Sequence, residues 1–244
     1  DFLCEDLTFT ENQQWPEEIR DCNACVMLQA EIGNTDNEKF ERNNVLTTKI
    51  ILKELKEAGL NRIIHISSSV VNSVSNDLYT KTKLKQEELV LKAFPESIVL
   101  RPTLMFGWFD RKHLGWLANF MAQSPIFPIP GKGNFIRQPL FVGDFCSIIQ
   151  RCIENFSIQG TYNISGLEKI RYIHLMKMLK KSKSARTLFI YLPIPIFNFL
   201  LKLWALISRK PAFTSSQLHA LTAGDQFEVI DWPSIFQINP TKLE

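Results

Sequence analysis

The stretch from Asn61 to Pro102 constrains the fold most. Asn61-Arg-Ile-Ile-His-Ile-Ser67 is a short apolar run of the kind that forms a buried strand, and Ser97-Ile-Val-Leu-Arg-Pro102 is another. Between them, Asp77 to Lys92 has the spacing of an amphipathic helix. Strand, helix and strand in this order make a β-α-β unit. The serines Ser67, Ser68 and Ser69 then fall at the carboxyl end of the first strand, where open α/β sheets bind ligands.

The helix carries a pair with chemistry to do. Tyr79 and Lys83 are four residues apart and share one helical face, so the Lys83 ammonium can sit beside the Tyr79 phenol. A fixed cation favours the phenolate and lowers a pKa that is otherwise about 10. Tyr79 could then exchange a proton with a substrate hydroxyl or carbonyl while Ser69 hydrogen-bonds the same oxygen. By spacing alone, a tyrosine and a lysine on one face are more often a solvated surface. The strand-end serines and the next strand change that balance.

With these residues in place, the chain resembles the extended short-chain dehydrogenase/reductase family, the NAD-dependent epimerase/dehydratase group. The resemblance rests on the serine-rich strand end, on Tyr79-Thr-Lys-Thr-Lys83 and on Arg101-Pro-Thr-Leu-Met-Phe-Gly107. More segments are similar to that family: Cys4-Glu-Asp-Leu7, Asn23-Ala-Cys-Val-Met-Leu-Gln-Ala30, Asn43-Asn-Val-Leu-Thr-Thr48, Arg137-Gln-Pro-Leu-Phe-Val-Gly-Asp144 and Gly160-Thr-Tyr-Asn-Ile-Ser-Gly166. Thr47 stands where the third of these usually has glycine.

The resemblance implies an α/β fold with a Rossmann-type doubly wound parallel sheet and a smaller carboxyl-terminal α/β substrate lobe. It divides the chain into 1–107 and 108–244, with 136–156 returning to the sheet. It implies NAD or NADP as cofactor, held by Asp6, Leu7, Leu28, Gln29, Ala30, Asn44, Ser67, Tyr79, Lys83, Pro102 and Thr103. Ser69, Tyr79 and Lys83 would be catalytic, with Ser69, Phe106 and Arg137 meeting the substrate.

Family members open with a strand, a G-x-x-G-x-x-G turn and a helix that cradle the pyrophosphate. That motif does not occur in these 244 residues. The expectation is that an amino-terminal piece with the first strands precedes Asp1. Gly131-Lys-Gly133 is no substitute, since it follows Pro130 and precedes Asn134 without a strand-to-helix setting, and reads as a surface turn.

Composition excludes some classes. A net charge of +3, from 28 basic and 25 acidic residues that look well mixed, gives no stripe for nucleic acid. Cys22 and Cys25 match a redox spacing, but Cys25 lies in an apolar strand and Cys22 in the turn before it, so structural thiols are expected. The odd total of five cysteines points to a reducing, cytoplasmic compartment. The four histidines are scattered and no metal is expected.

The segment Leu188–Ile207 approaches the length of a membrane span, but its prolines, Asn198 and Lys202 interrupt it. Phe197, Leu200, Leu201, Trp204 and Ile207 form one helical stripe, expected to pack on the substrate lobe; a membrane-peripheral contact through 196–210 is the sharper alternative. This tail, ending in Asp231-Trp-Pro-Ser-Ile-Phe, and the short gap from Ser69 to Tyr79 are similar to the branch of the complex I nucleotide-binding accessory subunit and its bacterial relatives. Two functions follow. One is an enzyme acting on a nucleotide sugar or similar polyol, with a homodimer as its candidate assembly; the other is an NAD(P)H-holding accessory or assembly subunit without turnover.

Overall fold

The computed structural model describes residues 17–32, 36–73, 77–110, 113–207, 213–222 and 225–243. In chain order its principal elements are β1 (Cys25–Met27), α1 (Asn37–Phe40), α2 (Thr47–Glu57), β2 (Ile63–Ile66), α3 (Leu78–Ala93), β3 (Ile98–Pro102) and β4 (Met105–Phe106). There follow α4 (Leu114–Gln123), β5 (Ile126–Pro130), β6 (Ile136–Arg137), β7 (Leu140–Phe141), α5 (Val142–Glu154), β8 (Gly160–Ile164) and β9 (Ile170–Arg171). The chain ends with α6 (Tyr172–Ser182), β10 (Leu188–Leu192), α7 (Ile194–Ile207), α8 (Ser215–Thr222) and α9 (Trp232–Phe236).

Two compact units result. The first holds the described residues up to Pro102 together with Ser147–Ile164, and the second holds Thr103–Cys146 and the residues from Ser165 onward. The returning segment therefore overlaps the expected 136–156 only from Ser147. The reason is local pairing: residues 136–141 form β6 and β7, whose partners β9 and β4 lie in the second unit.

The first unit is a parallel sheet in the order β1-β2-β3-β8. Val26 lies opposite Ile64, His65 opposite Val99, and Leu100 opposite Tyr162. Every residue of β2 is buried, which is why this strand reads as an unbroken apolar run rather than an alternation. Met27, Ile51, Leu52, Leu55, Ile63, Val90 and Phe94 make a core in which α2 and α3 cover the sheet. α3 starts where Asp77 accepts a hydrogen bond from the Thr80 amide at 2.8 Å, a side-chain cap on an otherwise unsatisfied donor.

A π-helical stretch, Glu41–Leu46, joins α1 to α2. Carbonyls around it are met by side chains: Thr47 Oγ1 donates to Arg42 at 3.0 Å and Thr48 Oγ1 to Asn44 at 2.5 Å.

Arg62 fastens the returning segment. Its buried guanidinium donates to the carbonyls of Cys152, Asn155 and Ile158, with Nε–Cys152 at 3.1 Å, Nη2–Asn155 at 2.6 Å and Nη1–Ile158 at 3.0 Å, and it lies 5.0 Å from the Phe156 ring centroid. These carbonyls lie at the end of α5 and in the turn after it, where the helix has no further amides of its own to offer, and a cation there also suits the helix dipole; the Asn155 carbonyl accepts from the Ile158 amide as well, at 3.2 Å.

The second unit has its own core of Leu114, Met121, Phe127, Ile129, Tyr172, Ile173 and Met176, with α4 and α6 against the parallel pair β5 and β10. Gly131 and Gly133 take φ of 57° and 64° in a turn after β5, as expected for that glycine pair.

Replacing Arg62 with alanine strands several buried carbonyls at once, and should lower unfolding free energy by about 3 kcal/mol. Urea denaturation of Arg62→Ala against wild type measures it. A loss below about 0.5 kcal/mol would show that the clamp contributes nothing net.

Candidate functional site

The carboxyl ends of β1 and β2 carry most of the expected cofactor residues. Beyond β1, Leu28 is 65% exposed and Ala30 is exposed, while the Gln29 amide donates to Thr48 Oγ1 at 3.1 Å. Asn44 is fully buried and secures this loop: its Oδ1 accepts from the Glu31 amide at 2.6 Å and its Nδ2 donates to Thr82 Oγ1 at 2.9 Å. Its side chain thus acts by fixing the loop and α3. Asp6 and Leu7 lie outside the described residues.

At the end of β2 the three serines part company. Ser67 is buried, its amide donating to the Leu100 carbonyl at 2.8 Å and its hydroxyl to Glu87 Oε1. Ser68 is extended, with φ −156° and ψ 148°, and caps the 3-10 turn Ser69–Asn72. Ser69 is the buried first residue of that turn. The hydroxyl that hydrogen-bonds the Tyr79 oxygen is that of Ser68. Ser69, expected to meet the substrate oxygen, thus follows the residue that touches Tyr79, because the backbone swings into the turn one residue after Ser68.

Tyr79, Lys83 and Glu87 follow one another at four-residue intervals along α3. Lys83 is buried, and its ammonium donates to the Ile66 carbonyl at 2.8 Å. Burial pushes its pKa down to about 8, against the raising effect of Glu87. The expectation that Lys83 lowers the Tyr79 pKa is corrected here. Burial raises the Tyr79 pKa, with Asp77 adding to the rise and the Ser68 hydrogen bond opposing it. A phenol that holds its proton is an acid, so the arrangement offers a proton to an oxygen placed against Tyr79 and Ser68.

Glu87 was not singled out from the sequence, and Arg101 entered only as the first residue of the Arg101–Gly107 motif. Arg101 donates to Glu87 through Nε at 3.0 Å and Nη2 at 2.6 Å, a forked ion pair that Ser67 completes. The signal was present, since Glu87 is the next member of the Tyr79, Lys83 series. His65 was also passed over. It is fully buried in β2, its ring nitrogens have no partner, and burial with Lys83 nearby holds it neutral, well below the usual histidine range.

Pro102 is buried at the end of β3. The other expected residues belong to the second unit. Thr103 Oγ1 donates to the Gln138 carbonyl at 2.5 Å and accepts from the Gly166 amide at 3.1 Å. The Phe106 ring lies 5.6 Å from that of Phe141. Arg137 donates to the Ile136 carbonyl at 2.6 Å and to the Leu221 carbonyl, so its guanidinium sits in the last turn of α8. Cys22 and Cys25 are not joined in a disulfide, and burial raises the Cys25 pKa to about 11, which keeps it from acting as a thiolate. No group of three or more His, Cys, Asp and Glu suited to a metal occurs among the described residues.

Residues 5–165 match the NAD dependent epimerase/dehydratase family. Among curated relatives, the chain is 27% identical over 231 residues to NADH dehydrogenase (ubiquinone) 1 alpha subcomplex subunit 9, mitochondrial, of Mus musculus, covering 93% of this chain and 60% of that protein. The chain therefore spans about 60% of the length of that relative. Among solved structures, UDP-glucuronic acid 4-epimerase from Bacillus cereus in complex with NAD is 25% identical with a TM-score of 0.65, covering 77% of this chain and 68% of that one. The dTDP-4-dehydrorhamnose reductase of Bacillus anthracis in complex with NADP, at 15% identity, shares the fold with a TM-score of 0.64 over 74% of this chain and 69% of that one.

The depressed Lys83 pKa has a measurable consequence. The folded amine near 8 binds fewer protons than an unfolded lysine at 10.5, so stability rises with pH between those values. Between pH 8 and 10 the advantage of wild type over Lys83→Met should grow by about 2 kcal/mol in urea unfolding. A constant difference would mean that the amine is not desolvated.

Proposed function

Because the chain belongs to the NAD dependent epimerase/dehydratase family, we propose that it forms the nicotinamide-side machinery of an NAD(P)-dependent oxidoreductase or epimerase/dehydratase acting on a nucleotide sugar or similar polyol. The observation that carries this is the Tyr79 phenol, hydrogen-bonded by Ser68 at the end of β2, on the same face of α3 as Lys83.

The residues present fit a dinucleotide. Leu28 exposes an apolar side chain at the strand end, and the Lys83 ammonium has three N–H donors, of which Ile66 takes one. Leu28, Ala30, Tyr79 and Lys83 would hold the nicotinamide and its ribose. A bound nicotinamide supplies or accepts the hydride. Tyr79 gives its proton to the carbonyl oxygen that becomes a hydroxyl, or recovers one in the reverse direction. Ser68 fixes the phenol oxygen, and Lys83 orients α3 against the end of β2 through the Ile66 carbonyl. Likeness to the mouse relative, whose name places it in the mitochondrion, supports a mitochondrial compartment over the cytoplasmic one read from the cysteines.

Tyr79→Phe keeps the ring and removes the titrating oxygen. It should lower turnover by about 10²- to 10⁴-fold while dinucleotide binding, read by titration calorimetry, is unchanged. Wild-type turnover in this variant would remove Tyr79 from the chemistry.

A second reading has its own support: a cofactor-holding accessory subunit without turnover. Arg137, expected to meet a substrate phosphate, is engaged by two carbonyls of its own unit, and 93% of the chain aligns with a subunit of NADH dehydrogenase. Thermal shift with UDP-glucose, UDP-glucuronic acid and dTDP-glucose separates the two. An enzyme is stabilised by one of them, and Arg137→Ala then weakens that ligand about ten- to a hundredfold. An accessory subunit is stabilised by none, and Arg137→Ala only lowers its Tm through the loss of the α8 contact.

A further inference from the structure

The helix α7 does not pack as its sequence stripe suggested. Its buried side is narrow: Phe197 is buried, Ile194, Asn198 and Leu201 are half-buried, and Phe197 meets the Phe213 ring at 6.4 Å. Leu200 and Trp204, expected inside, are exposed, Trp204 by 58%. With Ile196, Phe199, Leu203, Leu206 and Ile207 they make an outward face that is apolar except for Lys202, and Leu206 and Ile207 are each 83% exposed. Contiguous apolar surface of this extent marks an interaction site.

The charges along the chain on either side of this helix are not mixed. From Lys169 to Gly224 the chain has ten lysines and arginines and no aspartate or glutamate. With a net charge of +3 overall, the remainder is acidic on balance, so the evenly mixed charge expected from composition fails here. Lys177, Lys181, Lys183 and Arg186 are exposed on the elements leading into α7, and Lys202 is exposed on the helix itself.

We propose that the outward face of α7 lies on an anionic lipid bilayer. A surface-lying helix combines an apolar side with surrounding cations that attract acidic headgroups. The exposed apolar residues are aliphatic or aromatic, and only the Trp204 indole N–H among their side chains can hydrogen-bond, which leaves little to register a protein partner and suits a fluid apolar layer. The helix lies on the surface and does not cross it: its 14 residues extend only about 21 Å against a hydrocarbon core of about 30 Å, and no described helix is long and apolar enough to span. This goes beyond the proposed chemistry and does not depend on it.

Co-sedimentation with vesicles of phosphatidylcholine alone, and of phosphatidylcholine with about one third phosphatidylglycerol, tests the proposal. The full chain should pellet with the anionic vesicles at least about tenfold better, the preference should fall as salt rises from about 0.05 to 0.5 M, and Trp204 emission should shift to the blue. L206E/I207E places charge on exposed positions, so its melt should match wild type while vesicle binding falls about tenfold or more. Lys202→Glu gives a second, milder readout in the same direction. Absence of binding, equal binding to both vesicles, or retention of binding in L206E/I207E overturns the proposal. So does self-association without lipid that L206E/I207E abolishes, which would assign the face to a second copy of the chain.

Discussion

The first unit is organised around a buried carboxylate. Glu87 is nearly inaccessible, and a charge so placed is costly unless its partners are fixed. It accepts from Ser67 at the end of β2 and from Arg101 near the end of β3, while Lys83, one turn back on α3, reaches the Ile66 carbonyl. One cluster thus ties the helix to two adjacent strand ends. The orientation of Tyr79 is inherited from it, because Tyr79 lies on the same helical face one turn further towards the amino terminus.

This makes the lysine more a structural than an electrostatic neighbour of the phenol. Its contact with a backbone carbonyl holds α3 in place, and burial weakens its hold on the proton. The site residues are consequently closer to neutral than the spacing of Tyr79 and Lys83 alone suggests. Proton donation suits such a site better than abstraction, since a desolvated phenol resists ionisation.

What could be read in advance depended on whether local pattern or distant packing decided the outcome. The elements β2, α3 and β3 were legible because fully buried strands leave unbroken apolar runs and Asp77 caps the helix with its own side chain. Which serine touches the Tyr79 phenol was not, since three identical residues carry no signal and the backbone turn alone decides. Arg137 matched a family motif, yet its partner is the α8 carbonyl of Leu221, a residue 84 positions away. In α7 the apolar period exists on more than one face, so the pattern could not say which side is covered. β1 was shorter than its apolar run because the following residues leave the sheet, where Asn44 holds the Glu31 amide.

The Arg62 clamp bears on the order in which this chain can acquire structure. It joins residue 62 to carbonyls some ninety positions later, and β8 pairs with β3 only after the whole of Thr103–Cys146 has intervened. Such contacts close a long loop before they return any stabilisation, which slows folding. During synthesis β1, β2 and β3 emerge early, but β3 has no outer neighbour until Gly160–Ile164 leaves the ribosome. Until then its edge is an open row of backbone donors and acceptors, and the guanidinium of Arg62 lacks the carbonyls it will bind. The interval is a window in which a chaperone, or another copy of the same strand, competes for that edge.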